Sequence, residues 1–250
     1  WLASWSMAAK SPADLGFDGS RFVLPPLTIK DVVVDTNWRK PGQLFAGALS
    51  GITDRAAVRK SSVVARVAAA AKVVAGIDGQ VIVWCGLNDE SEAITEAVPG
   101  AVEVTGADSP EKKAATLLAF ADGSFRVLVT KARIAGFGMN FQNASEMVFL
   151  GMSDSYESYY QCIRREWRYG QTKPVTAHIV VTDHETEIVS NVRNKEAEAE
   201  RLTAEIISAA REFQVSEIKA HKEAETFERG SFSGDGWEIK QGDCVEEMRS

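Results

Sequence analysis

Val81-Ile82-Val83-Trp84-Cys85 is an apolar run of strand length closed by Gly86, and the same device recurs along the chain. Val102-Glu103-Val104-Thr105, Arg126-Val127-Leu128-Val129-Thr130, Met147-Val148-Phe149-Leu150 and the stretch 175–181 each read as a strand, as does the β-branched segment 28–35 upstream. Between them the pattern predicts helices. One covers about 52–75, with Thr53 or Asp54 as its cap, and one about 89–97, with Asn88 as its cap. A third covers 110–120, where Pro110 takes the first turn behind Ser109, and a fourth covers 156–168. Strands this apolar are buried on both faces. Their alternation with helices predicts an α/β fold, a parallel sheet with helices on both sides, without separating one doubly wound fold from another.

The chain has 250 residues, of which 45% are hydrophobic and 25% charged, the composition of ordinary globular material. No apolar run approaches the roughly 20 residues that span a bilayer, so no membrane partner is expected. Trp1-Leu2-Ala3-Ser4-Trp5 lacks the basic and apolar regions of a signal peptide. With no initiator methionine and no stop signal after Glu246–Ser250, the sequence reads as a fragment of a longer protein. Cys85, Cys162 and Cys244 have neither metal-site nor disulfide spacing, which favours a reducing cytoplasm. A net charge of −7 argues against wholesale coating by nucleic acid but leaves room for a local basic groove. Residues 160–173 hold Arg164, Arg165, Arg168 and Lys173 against Glu166, while much of the acidic excess lies in 185–228.

That basic stretch is Gln161-Cys162-Ile163-Arg164-Arg165-Glu166-Trp167-Arg168-Tyr169-Gly170-Gln171. On a helix, Arg165 and Arg168 share one face, and Gly170 is placed to end it. Guanidinium groups aimed together suit phosphate oxygens, because each is a planar fork of donors that keeps its charge. The full spacing resembles the sixth motif of superfamily 2 helicases in its Swi/Snf-type form. The resemblance implies that Arg165 and Arg168 face the β/γ-phosphates held by another lobe. Arg168 would be the arginine finger, Gln161 would border the nucleotide cleft, and Arg164 would be a surface or structural residue.

Other stretches agree. Val129-Thr130-Lys131-Ala132, then Gly136-Phe137-Gly138-Met139-Asn140-Phe141, is similar to the fifth motif, with two extra residues at about Arg133-Ile134. That implies Thr130 and Lys131 on a DNA phosphate, with Gly138 and Asn140 bordering the interlobe cleft. Trp84–Glu90 sits where the fourth motif opens the second lobe, though Trp84 alone reads as core. Lys10-Ser11-Pro12-Ala13-Asp14-Leu15 and Leu24-Pro25-Pro26-Leu27 resemble the passage that joins the two lobes. Gly151–Tyr160, leading into Gln161, resembles phage-type members, and the likeness covers about 5–215.

A Gly-x-x-x-x-Gly-Lys-(Ser/Thr) phosphate loop is absent, as is an Asp-Glu-x-His run that would hold magnesium. The resemblance is therefore to the C-terminal RecA-like lobe alone. ATP with Mg2+ would be bound mainly by a first lobe outside this chain. The implied partners are DNA and that N-terminal RecA-like lobe, in a bacterial or phage-infected cell. The expected organisation is an interlobe linker at 1–30, the RecA-like domain at 31–183, a helical extension at 184–229 and a linker from 230 to 250. In the extension, Ala199, Leu202, Ile206, Ala209 and Phe213 recur at three and four, as a brace or a dimerising helix would. Ser231–Gly236 reads as flexible. Trp237–Met248 resembles the opening of a DNA amino-methyltransferase, without its Asp/Asn-Pro-Pro-(Tyr/Phe) signature, and implies a fused or neighbouring methyltransferase. The reading is a second motor lobe of an ATP-dependent DNA helicase or translocase, inactive alone. The alternative is a non-catalytic RecA-like module that binds nucleic acid or a partner. An independent nucleotide-binding enzyme fits poorly without the phosphate loop.

Overall fold

Six strands lie parallel in one sheet: β1 (Leu27–Val34), β2 (Val81–Cys85), β3 (Ala101–Glu103), β4 (Val127–Thr130), β5 (Glu146–Leu150) and β6 (Val175–Thr182). Their order is β1-β6-β5-β2-β4-β3, with every neighbouring pair parallel. The structure is a computed structural model and describes residues 9–36, 58–135, 138–151, 155–224 and 231–240. Connecting helices are α1 (Val63–Ala75), α2 (Asn88–Ala97), α3 (Pro110–Ala121), the single turn α4 (Ala132–Ala135), α5 (Tyr156–Glu166) and α6 (Thr186–Ala224).

Alternate side chains of each central strand feed two separate cores. Ile82, Trp84, Leu128, Met147, Phe149, Ala177 and Ile179 pack with Leu117 and Phe120 of α3, Tyr159, Cys162 and Ile163 of α5, and Ile188, Val189 and Val192 of α6. Val81, Val83, Cys85, Val127, Val129, Val148, Leu150 and Val180 pack with α1 and α2. This period-two division explains why β2 is apolar and buried at every position, since neither of its faces meets water. The expected RecA-like parallel α/β sheet is the one observed. Its strand order places a topological switch between β2 and β5. The chain leaves β2 towards β3 at one edge and leaves β5 towards β6 on the other side. Such a divergence opens a crevice at the carboxyl ends of the two strands.

Local details depart from expectation where side chains intervene. Helix α2 starts at Asn88 itself, because Glu90 Oε2 accepts from the Gly86 and Leu87 amides, at 2.9 Å each. The cap thus comes from within the helix. Ser109 does cap α3, its hydroxyl accepting from the Lys112 amide at 3.2 Å. Thr53 and Asp54 lie outside the described residues. The stretch from Ser231 is a hairpin and not a linker: β7 (Ser231–Gly234) pairs antiparallel with β8 (Trp237–Lys240). The two residues between them are Asp235 and Gly236, and Gly236 takes φ +83°, the left-handed geometry that tight hairpin turns demand.

The chain divides into two compact units, 18–200 holding the sheet, and 1–17 together with 201–250. In the smaller unit the Asp14 carboxylate accepts from the Lys10 and Ser11 amides at 2.8 and 2.9 Å, and Arg211 donates to the Ala13 carbonyl at 3.2 Å. In the larger unit α6 enters the core through Ile188, Val189 and Val192.

Candidate functional site

Helix α5 ends at Glu166, not at Gly170, so Arg165 and Arg168 do not share a helix face. The reason lies in the carbonyls of the last turn. Gln171 Nε2 donates to the carbonyls of Glu166, Ala144 and Gln142, at 3.3, 2.9 and 3.0 Å. The Gln142 amide donates to the carbonyls of Arg168 and Tyr169. Side chains from outside the helix thus take the acceptors that a further turn would use. The Trp167 indole also donates to the Pro25 carbonyl at 2.7 Å, drawing the chain off the helix axis. Gly170 still needs to be glycine: its φ is +95°, and a Cβ there would stand 3.0 Å from Gln142 Nε2.

The two arginines consequently have different circumstances. Arg165 is committed, Nε donating to the Gln161 carbonyl, Nη2 to Gln161 Oε1 and Nη1 to the Met139 carbonyl, each at 3.0 Å. Its pKa is drawn down by desolvation and then by the neighbouring Arg168 charge. Arg168 is half-buried, and among the described residues its guanidinium has no hydrogen-bond acceptor and no carboxylate partner. Gln161, expected at the nucleotide cleft, spends its oxygen on Arg165. The Arg165 contact to Met139, with the Phe141 amide donating to the Arg165 carbonyl at 3.0 Å, ties the sixth-motif stretch to the fifth. Beside them Asn140 is exposed and exchanges hydrogen bonds with Gln142, and Gly138 is exposed with φ +77°. Gly136 and Phe137 lie outside the described residues. Buried under this corner is Glu166. Among the described residues neither carboxylate oxygen has a hydrogen-bond partner, and burial, then the Glu146 charge, hold its pKa well above the ordinary 4.5.

At the switch between β2 and β5 lies a cavity of about 520 Å³, lined by Arg59, Trp84, Gly86, Asn88, Lys131, Arg133, Gly151 and Tyr159 among others. Among the described residues three cations and no carboxylate line it. Lys131 follows β4 and donates to Asn88 Oδ1. Thr130 does not join it: the side chain is fully buried and its hydroxyl donates to the Val104 carbonyl at 3.3 Å. The Thr130 half of the expected phosphate contact is therefore withdrawn, because the last residue of a strand buried on both faces turns its side chain inward.

Arg59, Arg66 and Glu90 were not singled out from the sequence. Glu90 Oε1 accepts from Arg66 Nη1 at 2.7 Å and from Arg59 Nε at 3.1 Å, and the Glu90 and Arg66 side chains are completely buried. Burial opposes the Glu90 charge, but Arg59 and Arg66 outweigh it and lower its pKa. So braced, Arg59 lies across the strand ends. A Cβ on Gly86 would come within 2.2 Å of Arg59 Nη2, and one on Gly151 within 2.7 Å. The only sequence signal was glycine immediately after each of the two central strands.

Residues 65–170 match the family described as Helicase conserved C-terminal domain. Similar solved structures include the C-terminal part of the Fun30 ATPase domain, 17% identical with a TM-score of 0.47, over 51% of this chain and 44% of that one. The C-terminal domain of the DEAD-box protein Dbp5 is 12% identical with a TM-score of 0.49, over 70% of this chain and 86% of that one. The chain thus spans less than half of the Fun30 structure. Comparison with curated protein sequences gave no match. Among the described residues no helix is long and apolar enough to cross a membrane. The matched segment holds β2 to β5, Lys131 and Arg133 of the cavity but not Arg59, and both Arg165 and Arg168, and it is similar to the C-terminal domain of helicases.

Proposed function

We propose that this chain is the second motor lobe of an ATP-dependent DNA helicase or translocase of Swi/Snf-like, phage type. The observation that carries the reading is Arg168, a guanidinium with no acceptor among the described residues, on a turn whose backbone is fixed from both sides. A cation so placed is available to phosphate brought by another lobe, and it needs no rearrangement to meet the charge that develops there. ATP and Mg2+ would sit mainly on that other lobe, with Gly138, Asn140 and the Gln161–Arg165 pair along the shared border. ATP turnover tests this. The chain alone, with or without DNA, is expected to hydrolyse negligibly, and DNA-stimulated turnover is expected once a first lobe carrying a phosphate loop is supplied. Turnover near 1 s⁻¹ from the chain alone, the low end of about 1–10³ s⁻¹ for enzymes, would overturn it.

DNA is assigned to the cavity over β2 and β5, where Lys131, Arg59 and Arg133 present positive charge to a backbone phosphate. Binding by the chain alone is expected to be weak and independent of sequence. On duplex, each neutralised phosphate contributes about 0.9 to the slope of log affinity against log salt. Lys131→Ala is expected to lower that slope by about 1 without changing sequence preference. An unchanged slope would move the DNA path elsewhere on the lobe.

A further inference from the structure

The three strongest features outside these roles are the buried Glu166, a cavity of about 480 Å³ beside Gly138 and Asn143, and the surroundings of Arg164. Arg164 carries the most. Its guanidinium lies 5.8 Å from the Tyr160 ring centroid, 5.3 Å from that of Trp167 and 5.7 Å from that of Tyr169. Among the described residues it has neither a carboxylate partner nor a hydrogen-bond acceptor, so its charge is met by aromatic faces alone. Tyr160 and Trp167 lie four before and three after it, as neighbours on a helix surface do. Tyr169 is five beyond and arrives only because the helix stops at Glu166 and the chain turns back. Tyr169 is held on its other side by Phe22, edge-on at 5.4 Å between centroids. The two rings that flank Arg168 in sequence are therefore gathered on one cation of the preceding helix.

We propose that Arg164 is a positioning residue: by binding the rings of Trp167 and Tyr169 it clamps the turn that carries Arg168. The clamp stands on the ring geometry, while its catalytic consequence rests on the reading of Arg168 as the finger. The turn is fixed from two directions, by the amides of Gln142 and Gln171 on its carbonyls and by Arg164 on its side chains.

Hydrogen exchange on the whole chain tests the clamp directly. The Trp167, Arg168 and Gln171 amides donate to the carbonyls of Ile163, Glu166 and Arg168. Arg164→Ala is expected to speed their exchange by about 5–10-fold with the sheet amides unchanged, and Arg164→Lys, which keeps a cation over the rings, to recover most of the difference. Unchanged exchange in Arg164→Ala overturns the proposal. With a first lobe supplied, Arg164→Ala is expected to lower kcat by about 10-fold with little change in the KM for ATP, the signature of a misplaced transition-state contact. Faster exchange with full turnover, in a system where Arg168→Ala is inactive, overturns the positioning role. If Arg168→Ala is also fully active, the finger reading fails, while faster exchange still supports the clamp.

Discussion

Arg168→Ala is expected to lower ATP turnover by ~10³-fold or more when a first lobe and DNA are supplied. ATP and DNA affinity are expected to change little. Among the described residues the guanidinium has no hydrogen-bond or carboxylate partner, so its removal orphans no described acceptor and leaves the turn, held by Gln142, Gln171 and the ring contacts, in place. On the proposed finger role, what is lost is an interaction with charge that grows on the transferring phosphoryl group, and such a loss appears in kcat before KM. Arg168→Lys is expected to rescue poorly, since an ammonium lacks the planar fork. Single-turnover hydrolysis beside equilibrium nucleotide binding checks both halves. A large loss of nucleotide affinity with intact turnover would contradict the assignment. Arg165→Ala should behave differently. It strips donors from the Met139 carbonyl and from Gln161, so its effect includes local disorder and does not isolate the chemistry.

Glu90→Gln is expected to destabilise the fold by about 3–5 kcal/mol, because it leaves the Arg66 guanidinium buried without its counter-charge. Glu90 is also the acceptor for the Gly86 and Leu87 amides, so one side chain starts α2, braces Arg59 and neutralises a buried cation. Urea denaturation reads the change as a shift of midpoint at constant slope. Exposed Glu92→Gln on the same helix is the control and should fall within about 0.5 kcal/mol of the parent. The same ion pair sets a pH dependence. The folded-state pKa of Glu90 is lowered from 4.5, so its contribution is full above about 4.5 and is lost as pH falls below that towards the folded value. Glu90→Gln should therefore flatten the acid limb of stability. If the variant has the parent's midpoint at neutral pH, the buried pair contributes nothing and Arg66 has found another partner.

The sheet was legible because its strands are buried on both faces, which writes unbroken apolar runs such as 81–85 and 147–150 into the sequence. Helix starts were legible where the cap is local, as at Ser109, and misplaced where it reaches back from inside the helix, as with Glu90. The Asp235-Gly236 turn was passed over because its glycine- and serine-rich surroundings also suit a linker; pairing of the flanking strands decides it. At the site, spacing predicted Arg165 and Arg168 on one helix face, whereas the helix ends between them, at Glu166. Their separation depends on Gln142, Gln171 and Pro25, up to 142 residues away in sequence. Thr130 reads as exposed only if the strand is taken to end before it. The Arg59–Glu90–Arg66 group joins residues 24 and 31 positions apart, and no period in the sequence marks it.

Strand β1 sits at the sheet edge, and its one neighbour is β6, with Leu27 opposite Val175. On the ribosome these two elements are made far apart in time. At ~5–20 residues per second, the roughly 150 residues between them take about 7–30 s, and for all of that interval β1 has no partner. Ile29, Val32, Val33 and Val34 would then form an open template for pairing with other nascent chains, were it not for Lys30 and Asp31 at the middle of the strand. Two adjacent charges there discourage foreign strands. In the finished sheet Asp31 turns to a different use, accepting from Arg193 of α6 at 2.6 Å, so a gatekeeper during synthesis becomes a latch once the chain is complete.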